Sequence, residues 1–216
     1  MGAEDTVLLS TSYFGSIQYF TKFLLFPNRS VERYDHYTKQ TYRNRCNIFG
    51  ANGVLPLSIP VQKGPLHKTY VKDIRIDYSK NWRKLHWKGI ESAYMHSPFF
   101  EFYMDDIREY LEKQHEFLLD LNNEILEYLL ETLEIEGSLT YTEGFTESGE
   151  FTDCREAIHP KKTPVNDTSF IATPYPQVFA DRLGFQENLS IIDMLFNEGP
   201  NARVMLEQCL PQKAHQ

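Results

Sequence analysis

The densest run of reactive side chains in this 216-residue chain is Tyr34-Asp35-His36-Tyr37-Thr38-Lys39-Gln40-Thr41-Tyr42-Arg43-Asn44-Arg45, which holds almost no aliphatic residue. In an extended segment side chains alternate, so Arg43 and Arg45 would stand on one face. Two guanidinium forks on one face can clamp a phosphate or a carboxylate. Lys39 adds a point charge, Asn44 lies between the arginines, and Tyr37 and Tyr42 offer rings for a base or sugar. The plainer alternative is a solvated loop whose arginines pair with nearby acids. A second group is Trp82 through Tyr94, where Trp82, His86, Ile90 and Ala93 share one stripe of a helix. That stripe aims His86 inward, where an imidazole can act as a general acid or base or serve as a core histidine satisfied by protein partners. Lys84 and Lys88 share another face, one turn apart. A third group, Ser10-Thr11-Ser12-Tyr13-Phe14-Gly15-Ser16, brings hydroxyls to a predicted helix N-terminus. Such a terminus suits an anion, although Ser12 or Ser16 serves equally as a cap. His86 is therefore the candidate catalytic residue. The candidate substrate-binding set is Lys39, Tyr42, Arg43, Asn44, Arg45, Lys88, Ser10, Ser12 and Tyr13. Ser190 and Asp193 read as an acidic variant of the capping box, which favours a structural role for Asp193.

Several chemistries lack their motifs. The chain has no G-x-x-x-x-G-K-[ST], no G-x-G-x-x-G, no H-E-x-x-H and no G-x-S-x-G. Its seven histidines show no metal-ligand spacing, so no metal is assigned, and no cofactor is named. The net charge of −8 is unevenly spread: residues 1–100 hold 14 Lys and Arg against 7 Asp and Glu, and residues 101–216 hold 8 against 23. The basic first half can attract an anionic small molecule, or simply pack beside solvated acidic helices. The acidic second half argues against a nucleic-acid binder. Cys46, Cys154 and Cys209 are odd in number and far apart, which fits free thiols in a reducing compartment. No apolar run is long enough for a transmembrane segment. The acidic start lacks the basic region of a signal peptide, so a cytoplasmic location is expected. The match of Gly2 and Thr6 to a myristoylation pattern is read as chance.

The elements that must position these groups are readable from periodicity. Val7-Leu8-Leu9 predicts a strand, and Gly15 to Phe26 a helix stopped by Pro27, giving a β-loop-α start. Val31 to Tyr34 reads as a strand. Arg45 to Phe49 and Val54 to Val61 read as a hairpin with an Asn-Gly turn, with Pro56 and Pro60 marking an edge strand. Alternation predicts another strand over Ile74 to Tyr78. Helices follow at Trp82 to Tyr94, Phe99 to Leu111, and along Phe117, Leu121, Ile125, Leu129 and Leu133. Residues 136–170 read as a long loop or arm with one strand at Leu139-Thr140-Tyr141, through which a homodimer could form. Helices resume at Gln177 to Leu183, Ser190 to Phe196 and Ala202 to Leu210. The fold class is α/β: an N-terminal mixed sheet with its β-loop-α start and hairpin, then a mainly helical C-terminal half. One domain over 1–216 is expected, with strands and one early helix in 1–80, helices in 81–135, the arm in 136–170 and helices in 171–210.

Taken in order, several pieces resemble the WbqC-like family. They are Tyr19-Phe20, Tyr42-Arg43-Asn44-Arg45-Cys46-Asn47-Ile48, Leu57-Ser58-Ile59-Pro60-Val61, Trp82 through His86 with Ile90 and Tyr94, Pro98-Phe99-Phe100, and above all Phe185 through Gly199. The resemblance covers roughly residues 7–206. It implies a bacterial cytoplasmic protein associated with surface-polysaccharide (lipopolysaccharide, O-antigen) gene clusters. The function it suggests is a transferase acting on a nucleotide-activated sugar, moving an acyl, aminoacyl or glycosyl group. The competing expectation is a non-catalytic binding or assembly protein of that pathway, working through 136–170. The family commonly carries Gln-Pro at the end of its first strand, where this chain has Ser10-Thr11, which puts in doubt whether that loop keeps the family's chemistry.

Overall fold

The computed structural model describes residues 5–147, 149, 151–162, 164 and 167–211. Its first layer is a four-stranded parallel sheet in the order β5-β2-β1-β6, made of β1 (Thr6–Ser10), β2 (Asn28–Glu32), β5 (Ser138–Tyr141) and β6 (Thr152–Asp153). Parallel strands are covered on both faces and so read as continuous apolar runs; Val7, Leu8 and Leu9 of β1 are all buried. Helix α1 (Ile17–Leu25) connects β1 to β2, with Ser16 Oγ accepting from the Tyr19 amide at 3.3 Å as its cap. The expected strand at Val31 to Tyr34 instead starts at Asn28 and ends at Glu32. Its polar opening hid it, because Arg29 is buried and donates to the Phe23 carbonyl instead of facing water.

The antiparallel hairpin of β3 (Arg45–Gly50) and β4 (Gly53–Ser58) forms as expected. Its tip is Ala51-Asn52, closed by the Gly50–Gly53 pair, and Gly53 takes the positive φ of 107°. The strand expected at Ile74 to Tyr78 does not form. Val71–Asp73 is a 3-10 turn, and the segment after it makes only single bridges, Val61 to Ile76 and Arg75 to Phe117. Its alternation is real, since Ile74 and Ile76 are buried, but a lone extended segment without a ladder is not a strand.

Helices α2 (Trp82–Tyr94), α3 (Phe100–Glu112) and α4 (Leu118–Thr132) build the second layer. The stripe Leu121, Ile125, Leu129 and Leu133 is buried, as its spacing requires. The short α5 (Ala180–Leu183), α6 (Ile191–Glu198) and α7 (Ala202–Gln208) follow. Gly199 ends α6 at φ 55°, where a Cβ would strike the Phe99 ring. Apolar side chains of both halves share one contiguous core.

Residues 136–170 supply both outer strands of the parallel sheet. Glu32, buried at the end of β2, accepts from Thr142 Oγ1 (2.7 Å), the Thr146 amide (3.0 Å) and Arg155 Nη1 (3.4 Å). Lys22, buried on α1, donates to Asp167 Oδ2 (2.5 Å) and Ser169 Oγ (2.6 Å), and Gln18 adds a bond of 2.8 Å to the same carboxylate. Among the described residues no helix is long and apolar enough to cross a membrane.

Candidate functional site

The sheet order reverses direction between β1 and β6. In open parallel sheets the crevice beyond the carboxyl ends of the strands at such a switch point is where ligands bind. Here that position holds a small cavity walled by Ser10 at the end of β1 and Ser12 after it, Tyr19 in the first turn of α1, Arg43, and Cys154 and Arg155 after β6. Ser10 Oγ donates to the Arg155 carbonyl at 3.2 Å and so ties the two strand ends together. Arg155 is held by Asp153 and Glu32. Arg43 Nη2 pairs with Asp35 (2.6 Å) and Glu156 (3.3 Å). Ser12 Oγ, Tyr19 Oη and Arg43 Nε are buried and have no hydrogen-bond partner among the described residues. Burial pushes the Cys154 thiol up to about 11, so it stays protonated and is a poor nucleophile near neutral pH.

The extended segment expected around Arg43 and Arg45 is a correction. Tyr42–Asn44 is a 3-10 turn, capped by Thr41. A tight turn breaks the two-residue alternation, so the arginines part: Arg43 goes into the cavity and Arg45 into an open groove on the other side of the turn. That groove, about 460 Å³, is lined by Lys39, Asn44, Arg45 and Lys63 over the Tyr37 ring, with no carboxylate in its wall. Arg45 Nε donates to Ser58 Oγ at 3.0 Å, and Asn44 Nδ2 to the Ile59 carbonyl at 2.7 Å, which fixes the turn against the hairpin. Burial pushes the Tyr37 hydroxyl up to about 12, against the pull of Arg43 and Arg45.

His86 lies behind these compartments. Its Nε2 sits 3.2 Å from the Ser58 carbonyl and its Nδ1 2.9 Å from Tyr13 Oη. The carbonyl can only accept, so Nε2 carries the proton and Nδ1 accepts from Tyr13. Burial pulls the imidazole down to about 4, with the Ser58 bond opposing. Both nitrogens are thus occupied by protein, the arrangement of the core alternative. Lys88 is exposed in a third groove, between α2 and α3, with Lys84, Arg108, Glu91 and Glu112. The candidate residues therefore divide: Ser10, Ser12, Tyr42 and Arg43 line the cavity, Lys39, Asn44 and Arg45 line the basic groove, Tyr13 and His86 join the core, and Lys88 stands apart.

The capping box expected at Ser190 and Asp193 is also corrected. Ser190 Oγ donates to the Phe14 carbonyl at 2.6 Å and makes no cap. Asp193, wholly buried, accepts from Tyr94 and Tyr175, each at 2.7 Å. Sequence reasoning did not single out Lys63, Arg155 or His159. Lys63 stands in a loop before Gly64-Pro65, and Arg155 follows a two-residue strand that no periodicity marks. Among the described residues no cluster of three or more His, Cys, Asp or Glu could hold a metal ion.

Among curated proteins the chain is similar to the uncharacterized protein Rv1507c of Mycobacterium tuberculosis (strain ATCC 25618 / H37Rv), at 25% identity over 229 aligned positions, 91% of this chain and 92% of the relative. No solved structure matches it. The model of the WbqC-like protein family matches residues 11–163, a span that takes in the Tyr42–Asn44 turn, the basic groove and nearly all of the cavity wall, and on that match the chain belongs to the WbqC-like protein family.

Proposed function

We propose that the protein is a transferase acting on a nucleotide-activated sugar or a related anionic substrate in bacterial surface-polysaccharide biosynthesis. The observation that supports this reading is the basic groove: Lys39, Arg45 and Lys63 surround about 460 Å³ without a carboxylate among the lining residues. Ligand pockets of this kind run from about 300 to 1,000 Å³, so a nucleotide-sized molecule fits. The two lysines act as point charges and Arg45 as a planar fork, the combination that holds phosphate oxygens. Tyr37, 3% exposed, belongs to the wall beside them. The transferred group in this reading is acyl, aminoacyl or glycosyl, and the substrate arrives in the cytoplasm. His86 then acts as a positioning group, holding Tyr13 and the hairpin end at Ser58. The competing reading, a non-catalytic assembly protein working through 136–170, has less support, because two strands of that segment and its Arg155 and Asp167 are already engaged by their own chain.

Calorimetric titration of the full chain with UDP and with UDP-glucose tests the groove. Loss of each cation should weaken binding about 10-fold, since a hydrogen bond to a charged group contributes about 1.5–3 kcal/mol. A Lys39→Ala/Lys63→Ala double variant that binds both probes as tightly as wild type removes the reading.

A further inference from the structure

We propose that the cavity at the carboxyl ends of β1 and β6 is a second anion site, taking one oxygen of a small carboxylate or phosphate group against Ser12, Tyr19 and Arg43. Three observations carry this. First, the three residues line the cavity, are 7%, 3% and 2% exposed, and each has a buried polar atom without a hydrogen-bond partner: Ser12 Oγ, Tyr19 Oη and Arg43 Nε. A buried unpaired polar group is costly, and three lining one cavity mark a place built for a partner. Second, the chemistry of the set names that partner. Arg43 Nε can only donate, and both hydroxyls are free to donate, so the occupant is an acceptor. Arg43, Arg155 and His159 line the cavity; the carboxylates that pair with the two arginines, Asp35, Glu156, Glu32 and Asp153, stand outside its lining, and Arg43 Nε is left without one. Third, the place is the switch point of the sheet, where open parallel sheets bind ligands.

The size sets how the ligand sits. The space for the centre of a water-sized sphere is about 10 Å³, enough for about one oxygen atom. The anion therefore enters by one oxygen, and the rest of the molecule lies under the roof formed by Arg155, Ile158 and His159. Arg155 in that roof is anchored by the buried Glu32 and by Asp153. Beyond it the segment is held by Glu156 to Arg43 at 3.3 Å and by the exposed contact of Lys161 Nζ to Gln40 Oε1 at 2.5 Å, and surface contacts are weak, so the part after Arg155 can shift while Arg155 stays fixed. The site stands independently of the groove, from which the Tyr42–Asn44 turn divides it.

The test is calorimetric titration of the full chain with inorganic phosphate and, separately, with acetate, which distinguishes the two sources of the oxyanion. Ser12→Ala and Tyr19→Phe each delete one unpaired hydroxyl and should weaken whichever anion binds about 10-fold, by the loss of one charge-assisted hydrogen bond. Arg43→Lys, which keeps the charge and removes Nε, should do the same, and it serves as the check if either hydroxyl variant fails to fold. Lys39→Ala and Lys63→Ala should leave that affinity unchanged while weakening UDP. The proposal is overturned if neither anion binds wild type, if the cavity variants bind as wild type does, or if only the groove variants lose the anion; the cavity then holds a structural water. Loss of UDP binding alone would remove the groove reading and leave this one standing.

Discussion

The helical half and the carboxyl end of the parallel sheet bury carboxylates in opposite ways. Asp193 lies wholly inside the packing of α2 and α6, met by the hydroxyls of Tyr94 and Tyr175 and by Gln177, with no cation among its hydrogen-bond partners. Burial pushes it up to about 6, with those bonds pulling back. Asp167 is also pushed up by burial, but bonds from Lys22, Ser169 and Gln18 outweigh this and hold it below the usual carboxylate range. Glu32 meets Arg155 together with three other donors. One region is apolar packing around an acid poised to take up a proton. The other is a set of ionised joints that fasten distant segments to a sheet. The lesson is that the second region cannot lose a charge quietly, because each of these acids meets a buried cation and further donors.

Glu32→Ala should break the comparison most visibly. It leaves Arg155 to Asp153 alone and strips the Tyr34 amide, Thr142 Oγ1 and the Thr146 amide of their acceptor, each buried unpaired donor costing about 1–3 kcal/mol. Urea denaturation should show that loss, and limited proteolysis should cut earlier within 136–170; an unchanged midpoint would show that Glu32 does not hold the segment. Asp193→Asn comes next. The folded carboxyl, at about 6, binds its proton more tightly than the unfolded group at 3.8. Its stabilising contribution is therefore full below about pH 4 and fades as pH rises through 6, by up to about 3 kcal/mol at 1.36 kcal/mol per unit. Wild type should lose ground against the Asn variant across that window, and parallel curves would contradict the assignment. His86 has the opposite sign. Its folded value of about 4 lies below the ordinary 6.5, so its contribution is full above 6.5 and is lost as pH falls toward 4. Between pH 4 and 6 the two slopes oppose each other, and wild type should be nearly level there. His86→Gln should unmask the Asp193 slope, seen as a variant that gains stability on acidification. The smallest effect belongs to Ile125→Val in α4, about 0.5–1.5 kcal/mol for one buried methylene. It should be independent of pH and leave the proteolytic pattern of 136–170 unchanged.

The same contrast explains what could be read from the residues. α2 ends where its stripe ends, and Leu121, Ile125, Leu129 and Leu133 announce α4, because apolar packing leaves a period. β2 was displaced and β6 was missed because their residues are polar or too few to alternate, and they are fixed by Glu32 and Arg155 across more than a hundred positions. In the site, the residue types were legible and their grouping was not. Arg43 and Arg45 have the chemistry their sequence suggests, but the 3-10 turn that separates them is set by Thr41 and by Asn122, whose side-chain amide donates to the Arg43 carbonyl at 2.8 Å. His86 fell on the inner stripe as its spacing implied, and only the structure shows both its nitrogens engaged.

The outer strands of the sheet join β1 and β2 from 110 to 145 positions further along the chain. Pairings this non-local are slow to close, and a nascent chain offers its N-terminal part first. While it leaves the ribosome, the β2 flank stays open until residues 138–141 have emerged and the β1 flank until 152–153. The cavity wall from Cys154 to His159 therefore arrives well after the strand and loop it faces, though before α5 to α7. A chain stalled in α4 therefore lacks both the β6 side of the cavity and the buried α6 and α7 that pack against α1.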